Sequence, residues 1–254
     1  MNKAGVRLFR GMVCVLACGC ANSSSSVQKT HSIALRKQLV ASLAHHREWE
    51  AAVEPLLELR REQPHDPEVH ALLGTIYREQ GLFEQGEAAY REAIRLSPQC
   101  AKAHAGLGIL REVRRDPGDA AIDDFKTAIR IEPEVGAYYN NLGFALYLRG
   151  RYNEAKDALQ EGLKRDPSTR RMRNNLGFLY GKTGDYSKAV REFEHGGTEA
   201  EANNNIGYVY EQSGDPQTAC NYYRAALRLN PALHRAKANA AHVCADPPSF
   251  GDTP

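Results

Sequence analysis

The sequence of 254 residues carries 33 basic and 31 acidic side chains, for a formal net charge of +2 at pH 7. Three of the basic residues, Lys3, Arg7 and Arg10, lie in an N-terminal segment that we expect to be removed, which leaves 30 basic and 31 acidic residues. A nearly neutral chain lacks the basic face that nucleic acids require, so this balance argues against a nucleic-acid partner.

The N-terminal residues 1–19 have the layout of a secretory signal, with basic residues followed by an apolar run that is too short to span a bilayer. Small residues directly before Cys20 resemble the lipobox of bacterial lipoproteins, in which the cysteine becomes the acylated first residue. The resemblance implies lipidation at Cys20 and, because Ala21 rather than aspartate follows, a position at the outer membrane facing the periplasm. An ordinary signal cut nearby is the alternative. The serine-rich residues 20–32 are predicted to form a flexible tether.

The body of the chain, residues 33–243, is organised by an Asn-Asn-Leu/Ile-Gly phrase that recurs at residues 140–143, 174–177 and 204–207, in steps of 34 and 30. An aromatic residue follows each of these glycines, and a second glycine comes seven positions after the first. Self-similarity at this period predicts an all-α solenoid of helix-turn-helix repeats. We expect the first glycine to let a partner helix approach closely and the second to end the first helix in a left-handed conformation.

The pattern predicts six repeats, a cap helix and a disordered tail. Their bounds are 33–66, 67–100, 101–135, 136–169, 170–199 and 200–233 for the repeats, 234–243 for the cap helix and 244–254 for the tail. The first repeat has Val40 where the others have glycine, as expected of an atypical terminal repeat. The fifth repeat is four residues short and its second helix is predicted to end at Gly196-Gly197, a loss of about one helical turn.

No motif of a catalytic or metal site occurs in the sequence: there is no Gly-rich phosphate loop, no HExxH or GxSxG, and no Cys/His spacing typical of zinc. The sequence therefore predicts a protein that is not an enzyme, with no cofactor, no metal and no small-molecule substrate. An enzyme-related alternative is an adaptor that presents substrate to a periplasmic peptidase or glycan enzyme, because a repeat array supplies a groove and its partner supplies the chemistry.

The repeated asparagines are the candidate binding residues, because residues in one register of a solenoid stack in a line along its concave face. An amide offers both a donor and an acceptor, so such a line can pair with an extended peptide backbone, and the nearby aromatic residues and cations can add contacts. The candidate groove comprises Asn140, Asn141, Phe144, Arg171, Asn174, Asn175, Phe178, Lys182, Asn204, Asn205 and Tyr208. The alternative is structural: asparagine before Leu-Gly is ordinary in such repeats, and the aromatic residues can belong to the core.

Three cysteines lie beyond the lipobox: Cys100, Cys220 and Cys244. The predicted antiparallel packing of the cap helix brings Cys220 and Cys244 near each other, in a compartment that permits oxidation. The pair either forms a disulfide that fastens the cap or remains two small buried thiols, with the free thiols as the default expectation.

Residues 33–243 resemble a tetratricopeptide repeat (TPR) array, which implies a right-handed superhelix and a protein partner. The lipobox, the six repeats and the short fifth repeat between two Asn-Asn phrases resemble TadD-type lipoproteins of the tight-adherence (Flp) pilus system. That resemblance covers about residues 136–231 and implies assembly of a pilus secretion machine, with the secretin or another pilus component as partner. The alternative is a type IV pilus pilotin of the PilF/PilW kind, which has neither the short repeat nor the Asn-Asn phrases.

Overall fold

A computed structural model describes the backbone of residues 20–244 and the side chains from His31 onward. Within that range the chain forms thirteen α-helices and no strand. The helices are α1 (Cys20–His45), α2 (Trp49–Glu62), α3 (Pro67–Glu79), α4 (Phe83–Leu96), α5 (Ala101–Arg114), α6 (Ala120–Ile131), α7 (Gly136–Leu148), α8 (Tyr152–Arg165), α9 (Arg170–Lys182), α10 (Tyr186–Gly196), α11 (Glu199–Gln212), α12 (Pro216–Leu229) and α13 (His234–Val243). The predicted signal 1–19 and the tail from residue 245 lie outside the described residues.

The helices pack in the order of the chain, which confirms the predicted all-α repeat fold. Each odd-numbered helix from α1 to α11 packs against the helix that follows it and also against the next odd-numbered helix. The odd-numbered helices, one per repeat plus the cap α13, therefore lie side by side. We call the surface that they form the first-helix face.

The core runs along the array because neither helix of a repeat buries its apolar residues alone. At the N-terminal end, Val40 of α1 is fully buried with Leu56 of α2 and Leu73 of α3. In the C-terminal half, one cluster extends from Phe125 of α6 to Val209 of α11. Each repeat thus depends on its neighbours for part of its burial, as expected for a solenoid.

The repeated glycines have the two roles that their spacing predicts. A Cβ atom at Gly177 would lie 2.5 Å from Cε1 of Phe193, so the approach of α10 to α9 requires a glycine there. The glycines that follow the first helices have left-handed backbones, which side-chain-bearing residues adopt only with strain. Their φ values are +72° at Gly150, +83° at Gly184 and +84° at Gly214.

The short fifth repeat ends as the sequence predicts. Helix α10 has 11 residues where α8 and α12 have 14, and it ends at Gly196. Gly197 is extended, and α11 begins almost at once with a capping box in which Thr198 and Glu201 each satisfy backbone N–H groups of the other. The lost helical turn is therefore replaced by a strong N-terminal cap on the next repeat.

The serine-rich segment 20–32 differs from the predicted flexible tether, since its backbone continues α1 to Cys20. Serine is only a moderate helix former, but once a helix is nucleated on residues packed against α2, each added residue gains a backbone hydrogen bond. Among the described helices, none combines the length and apolar character needed to cross a membrane.

Candidate functional site

The repeated asparagines form a ladder of hydrogen bonds between neighbouring repeats. In every rung, the second asparagine position of one repeat donates its side-chain amide to the first asparagine of the repeat before it. The rungs are Asn175 Nδ2 to Asn140 Oδ1 at 2.9 Å, Asn205 Nδ2 to Asn174 Oδ1 at 3.4 Å, and Asn239 Nδ2 to Asn204 Oδ1 at 3.0 Å. The ladder thus joins α7, α9, α11 and α13 across the first-helix face.

This geometry corrects the expected role of two of the asparagines. Asn140 and Asn204 are only 5% and 6% exposed, and their amide nitrogens donate to Asn141 and Asn205 of the same helix. Their hydrogen-bonding capacity is largely used inside the protein, so they hold repeats together rather than face a peptide backbone. Asn141, Asn175 and Asn205 remain half-buried at the surface.

The middle asparagine of the ladder is tied to the short helix α10. Asn174 Nδ2 donates to the backbone carbonyl of Gly196 at 3.2 Å, and Arg170 Nε donates to the same oxygen at 3.2 Å. A Cβ atom at Gly196 would lie 2.5 Å from Asn174 Oδ1. A side chain at position 196 would therefore displace Asn174, so the asparagine ladder requires a glycine there.

An open groove lies on the first-helix face of repeats four to six, formed by two adjoining cavities of about 480 and 190 Å³. Phe178 and Tyr208 line both cavities, with ring centroids 5.8 Å apart and planes at 90°. Phe144 and Tyr208 are 44% and 43% exposed, although they are large and apolar. We call the surface formed by Phe144, Tyr147, Phe178, Lys182 and Tyr208 the aromatic groove.

The repeat register places these side chains in line. Phe144, Phe178 and Tyr208 directly follow the close-contact glycines of α7, α9 and α11, so each occupies the same position on adjacent helices. Tyr147 lies one turn beyond Phe144 and lines both cavities. The sequence interpretation missed Tyr147, although its spacing of three from Phe144 is the signal that identifies it.

One wall of the groove is supported by stacked tyrosines. Tyr186, at the start of α10, lines the larger cavity and stacks on Tyr210 with centroids 5.3 Å apart and planes at 11°. Tyr210 in turn stacks on Tyr222 at 5.6 Å and 7°. Rings packed in this way lose little conformational entropy on binding, so this end of the groove is preorganised.

The aromatic groove combines aromatic rings, polar side chains and one lysine. Among the described residues that line its two cavities, Lys182 alone is charged, and no described residue forms an ion pair with it. Burial, followed by the neighbouring Tyr152 and Tyr208, raises the pKa of Tyr147, so its hydroxyl stays neutral at physiological pH. Arg171 is exposed but lines neither cavity, so the structure does not bring it together with Lys182.

A third cavity of about 420 Å³ lies at the opposite edge of the same face. Its lining includes Asn174, Asn204 and Asn205 of the ladder with Glu201 and Arg235. Glu201 is already held by Thr198 and by Arg170, whose Nη2 is 2.5 Å away. Asn205 of the ladder therefore borders this third cavity, whereas Asn175 borders the smaller cavity of the aromatic groove.

Cys220 and Cys244 are joined by a disulfide with their Cα atoms 5.2 Å apart, so the default expectation of free thiols is wrong. The bridge links α12 to the residue after α13, and it removes Cys244 from the predicted tail. Cys100 is a free, half-buried thiol whose pKa is raised by burial. Among the described residues, no cluster of His, Cys, Asp and Glu has the geometry to hold a metal ion.

The structure is a stack of helical hairpins with a groove across adjacent first helices. This architecture defines a solenoid protein of the interaction-scaffold class. Three profiles described as tetratricopeptide repeat match residues 72–135, 136–169, and 171–196 with 200–233. The chain therefore belongs to the tetratricopeptide repeat family, whose members are generally non-catalytic scaffolds for protein interactions. The unmatched residues 197–199 are those of the shortened fifth repeat.

Two curated proteins are similar to part of the chain. A small glutamine-rich tetratricopeptide repeat-containing protein 2 of Mycosarcoma maydis is 39% identical over 85 residues, which are 31% of this chain and 22% of that protein. The type IV pilus assembly protein PilF of Pseudomonas aeruginosa is 32% identical over 89 residues, 35% of each chain. The matched part thus spans only about a fifth to a third of these relatives.

Solved structures with the same fold cover more of the chain. A structure of Pseudomonas aeruginosa PilF aligns over 85% of this chain and 99% of its own, with a TM-score of 0.66 and 18% identity. PilW, titled a widely conserved type IV pilus biogenesis factor, aligns over 82% of this chain and 97% of its own, with a TM-score of 0.69 and 16% identity. At these identities the likeness concerns the fold alone.

Proposed function

We propose that this protein is a TPR lipoprotein that assists the assembly of a pilus secretion machine of the Flp/Tad type. Acylated Cys20 anchors it to the outer membrane on the periplasmic side, and the array holds an extended segment of the secretin or of another pilus component. The aromatic groove is the observation that carries the proposal. Partly exposed aromatic residues in a preorganised groove are the usual anchors of protein interfaces.

The similarity to the type IV pilus assembly protein PilF supports a role in pilus assembly and also favours a second candidate function. In that alternative, the protein is a type IV pilus pilotin of the PilF/PilW kind. Both functions use the same groove and the same anchor, so the identity of the captured partner separates them.

The groove is tested by placing a photoreactive phenylalanine analogue at Phe144, irradiating cells and identifying the crosslinked proteins by mass spectrometry. We expect capture of a pilus-machine component, and a Flp/Tad or a type IV secretin distinguishes the two candidates. The control has the same analogue at Leu229, which is 50% exposed at the end of α12, and we expect it not to capture that component. Equal capture from both positions would refute the groove as the binding site.

The anchor is tested separately, because a scaffold can bind its partner without lipid. Two or more acyl chains hold a protein stably at a membrane, so Cys20→Ser should move this protein to the soluble periplasmic fraction. The Cys100→Ser variant, which changes a cysteine outside the lipobox, should remain with the membrane. A Cys20→Ser protein that still sediments with membranes, beside a wild-type protein without lipid mass, would overturn the anchoring proposal.

A further inference from the structure

The short fifth repeat leaves one asparagine of the ladder with a free acceptor. In α7 and α11, the first asparagine of the phrase donates its amide to Oδ1 of the second, as Asn140 does to Asn141 and Asn204 to Asn205. In α9, Asn174 donates instead to the backbone carbonyl of Gly196, where α10 ends early. As a result, no described residue donates to Oδ1 of Asn175, whose own amide is used in the ladder.

Asn175 lines the smaller cavity of the aromatic groove, so a bound molecule can supply the missing donor. Among the described residues, this cavity is lined by Gly143, Leu159 and four aromatic rings beside Asn175, and none of them is charged. It therefore suits an apolar side chain whose own backbone N–H donates to Asn175. Helices use their backbone N–H groups internally beyond the first turn, so the segment that offers such a group is extended.

A cation follows at the next position along the groove. Lys182 lies one helical turn after Phe178, about 6 Å further along α9, and lines the larger cavity. Two acidic residues that are close in sequence to the lining residues are already engaged: Asp185 pairs with Lys188, and Glu211 accepts a hydrogen bond from a buried tyrosine. Lys182 is exposed and has no ion-pair partner among the described residues, so its charge is available to a carboxylate of a partner.

We propose that the aromatic groove selects an extended partner segment in which an acidic residue follows two positions after an apolar one. Residues i and i+2 of an extended chain point to the same side about 6.6 Å apart, which matches the step from Phe178 to Lys182. The apolar side chain fills the smaller cavity, its backbone N–H binds Oδ1 of Asn175, and the carboxylate meets Lys182. This inference rests on the proposed function, since it names the chemistry of the segment that the groove holds.

A selection of phage-displayed random heptapeptides on the full chain tests this specificity without a known partner. We expect wild type to enrich sequences with an apolar residue followed two positions later by aspartate or glutamate. Lys182→Glu should instead enrich lysine or arginine at that position, and the exposed control Lys126→Glu on α6 should keep the wild-type preference. No enriched sequence, an acidic residue at another spacing, or a preference unchanged in Lys182→Glu would overturn the proposal.

A second measurement compares three labelled peptides, GSFSDSG, GSFSNSG and GSFSKSG, by fluorescence anisotropy. Wild type should bind the first peptide roughly two- to fivefold more tightly than the second, as expected of an exposed ion pair, and about 1 M NaCl should remove the difference. Lys182→Glu should prefer the third peptide. Equal binding of all three peptides to wild type contradicts the proposal.

The two proposals fail separately, because the peptide experiments need no pilus component. Capture of such a component from position 144 without any acidic preference in the peptides refutes only the inferred specificity. The acidic preference without that capture refutes only the proposed function.

Discussion

Asn239 of the cap helix donates its side-chain amide to Oδ1 of Asn204, 3.0 Å away on α11. The cap helix has no glycine-aromatic phrase, but Asn239 lies 34 residues after Asn205 and therefore occupies the same register. The cap thus continues the asparagine ladder of the repeats that it covers. It is held to α11 by a side-chain hydrogen bond as well as by apolar packing.

Replacing Asn239 by alanine should destabilise the cap. Asn204 is 6% exposed and would lose a hydrogen-bond donor to its carbonyl oxygen, which costs about 1–3 kcal/mol when the group stays buried. Denaturant unfolding should show this loss, and hydrogen exchange should show faster opening of α13. In the control Asn203→Ala, the side chain removed donates only to the carbonyl of Glu199 in its own helix, so a smaller effect is expected.

The same reasoning applies to Asn175, whose amide is the donor to Asn140. Asn175→Ala should lower the free energy of unfolding by about 1–3 kcal/mol, because Asn140 is buried. Asn153→Ala, at an exposed position on α8, should have almost no effect. Loss of partner binding with unchanged stability would instead support the original prediction that these amides bind a peptide.

Gly177→Ala should destabilise the fifth repeat by overpacking. The new Cβ atom would lie 2.5 Å from the ring of the fully buried Phe193, and such overpacking costs about 1–3 kcal/mol. The double variant Gly177→Ala with Phe193→Leu should recover part of the loss, since a smaller side chain opens space. Thermal unfolding of wild type, both single variants and the double variant measures the effect, and purely additive losses would contradict the steric explanation.

Reduction of the Cys220–Cys244 disulfide should release the cap helix. The bridge closes a segment with a sequence separation of 24, for which the chain-entropy account gives about 3–4 kcal/mol. Thiol counting in denaturant should find two additional thiols after reduction, and Cys244→Ser should speed hydrogen exchange in α13 while α3 is unaffected. Finding all the cysteine thiols free before reduction would contradict the bridge.

Glu201 should stabilise the start of α11 in a pH-dependent manner. Hydrogen bonds from the backbone and hydroxyl of Thr198, with Arg170 nearby, lower the pKa of Glu201 from its usual 4.5. A lowered pKa means that the contribution is present above about pH 4.5 and is lost as the pH falls through the lower, folded-state value. Glu201→Gln should therefore be less stable than wild type at pH 7 and nearly equal to it in strong acid. Glu199→Gln, which leaves the capping box intact, should show a smaller difference at pH 7.

Features fixed by local geometry could be predicted from the sequence. Gly150 and Gly184 end their helices with positive φ because few other residues can, and α13 has the predicted bounds 234–243. The partners of the asparagines could not be predicted. A shared register places Asn174 and Asn205 near each other, but whether their amides face one another or the solvent depends on how closely α9 and α11 approach, which the short helix α10 sets.

The aromatic residues illustrate the same limit. The register predicted that Phe144, Phe178 and Tyr208 lie in line, but it left open whether they belong to the core. Phe178 belongs to both the core and the groove, since it contacts Phe193 with ring centroids 4.9 Å apart and also lines the groove. Tyr147 lies outside the repeated phrase, because α9 has Gly181 in its register. Only the packed helices show that Gly181 lines the larger cavity beside Val209, whose Cγ1 would lie 2.6 Å from a Cβ atom at that position.

The repeats are joined differently at the two ends of the molecule. Towards the N-terminus the polar joints are ion pairs, Lys37 with Asp66 and Lys102 with Glu68, the latter at 2.9 Å. From repeat four onward, neutral amides join the repeats and a covalent bridge holds the cap, although Arg170 pairs with Glu201 and His242 lies 4.0 Å from Glu211. Dissolved ions screen exposed charges but not amide pairs or disulfides. Rising ionic strength should therefore weaken the exposed ion pair of Lys102 with Glu68 more than the amide pairs and the disulfide at the end that carries the groove.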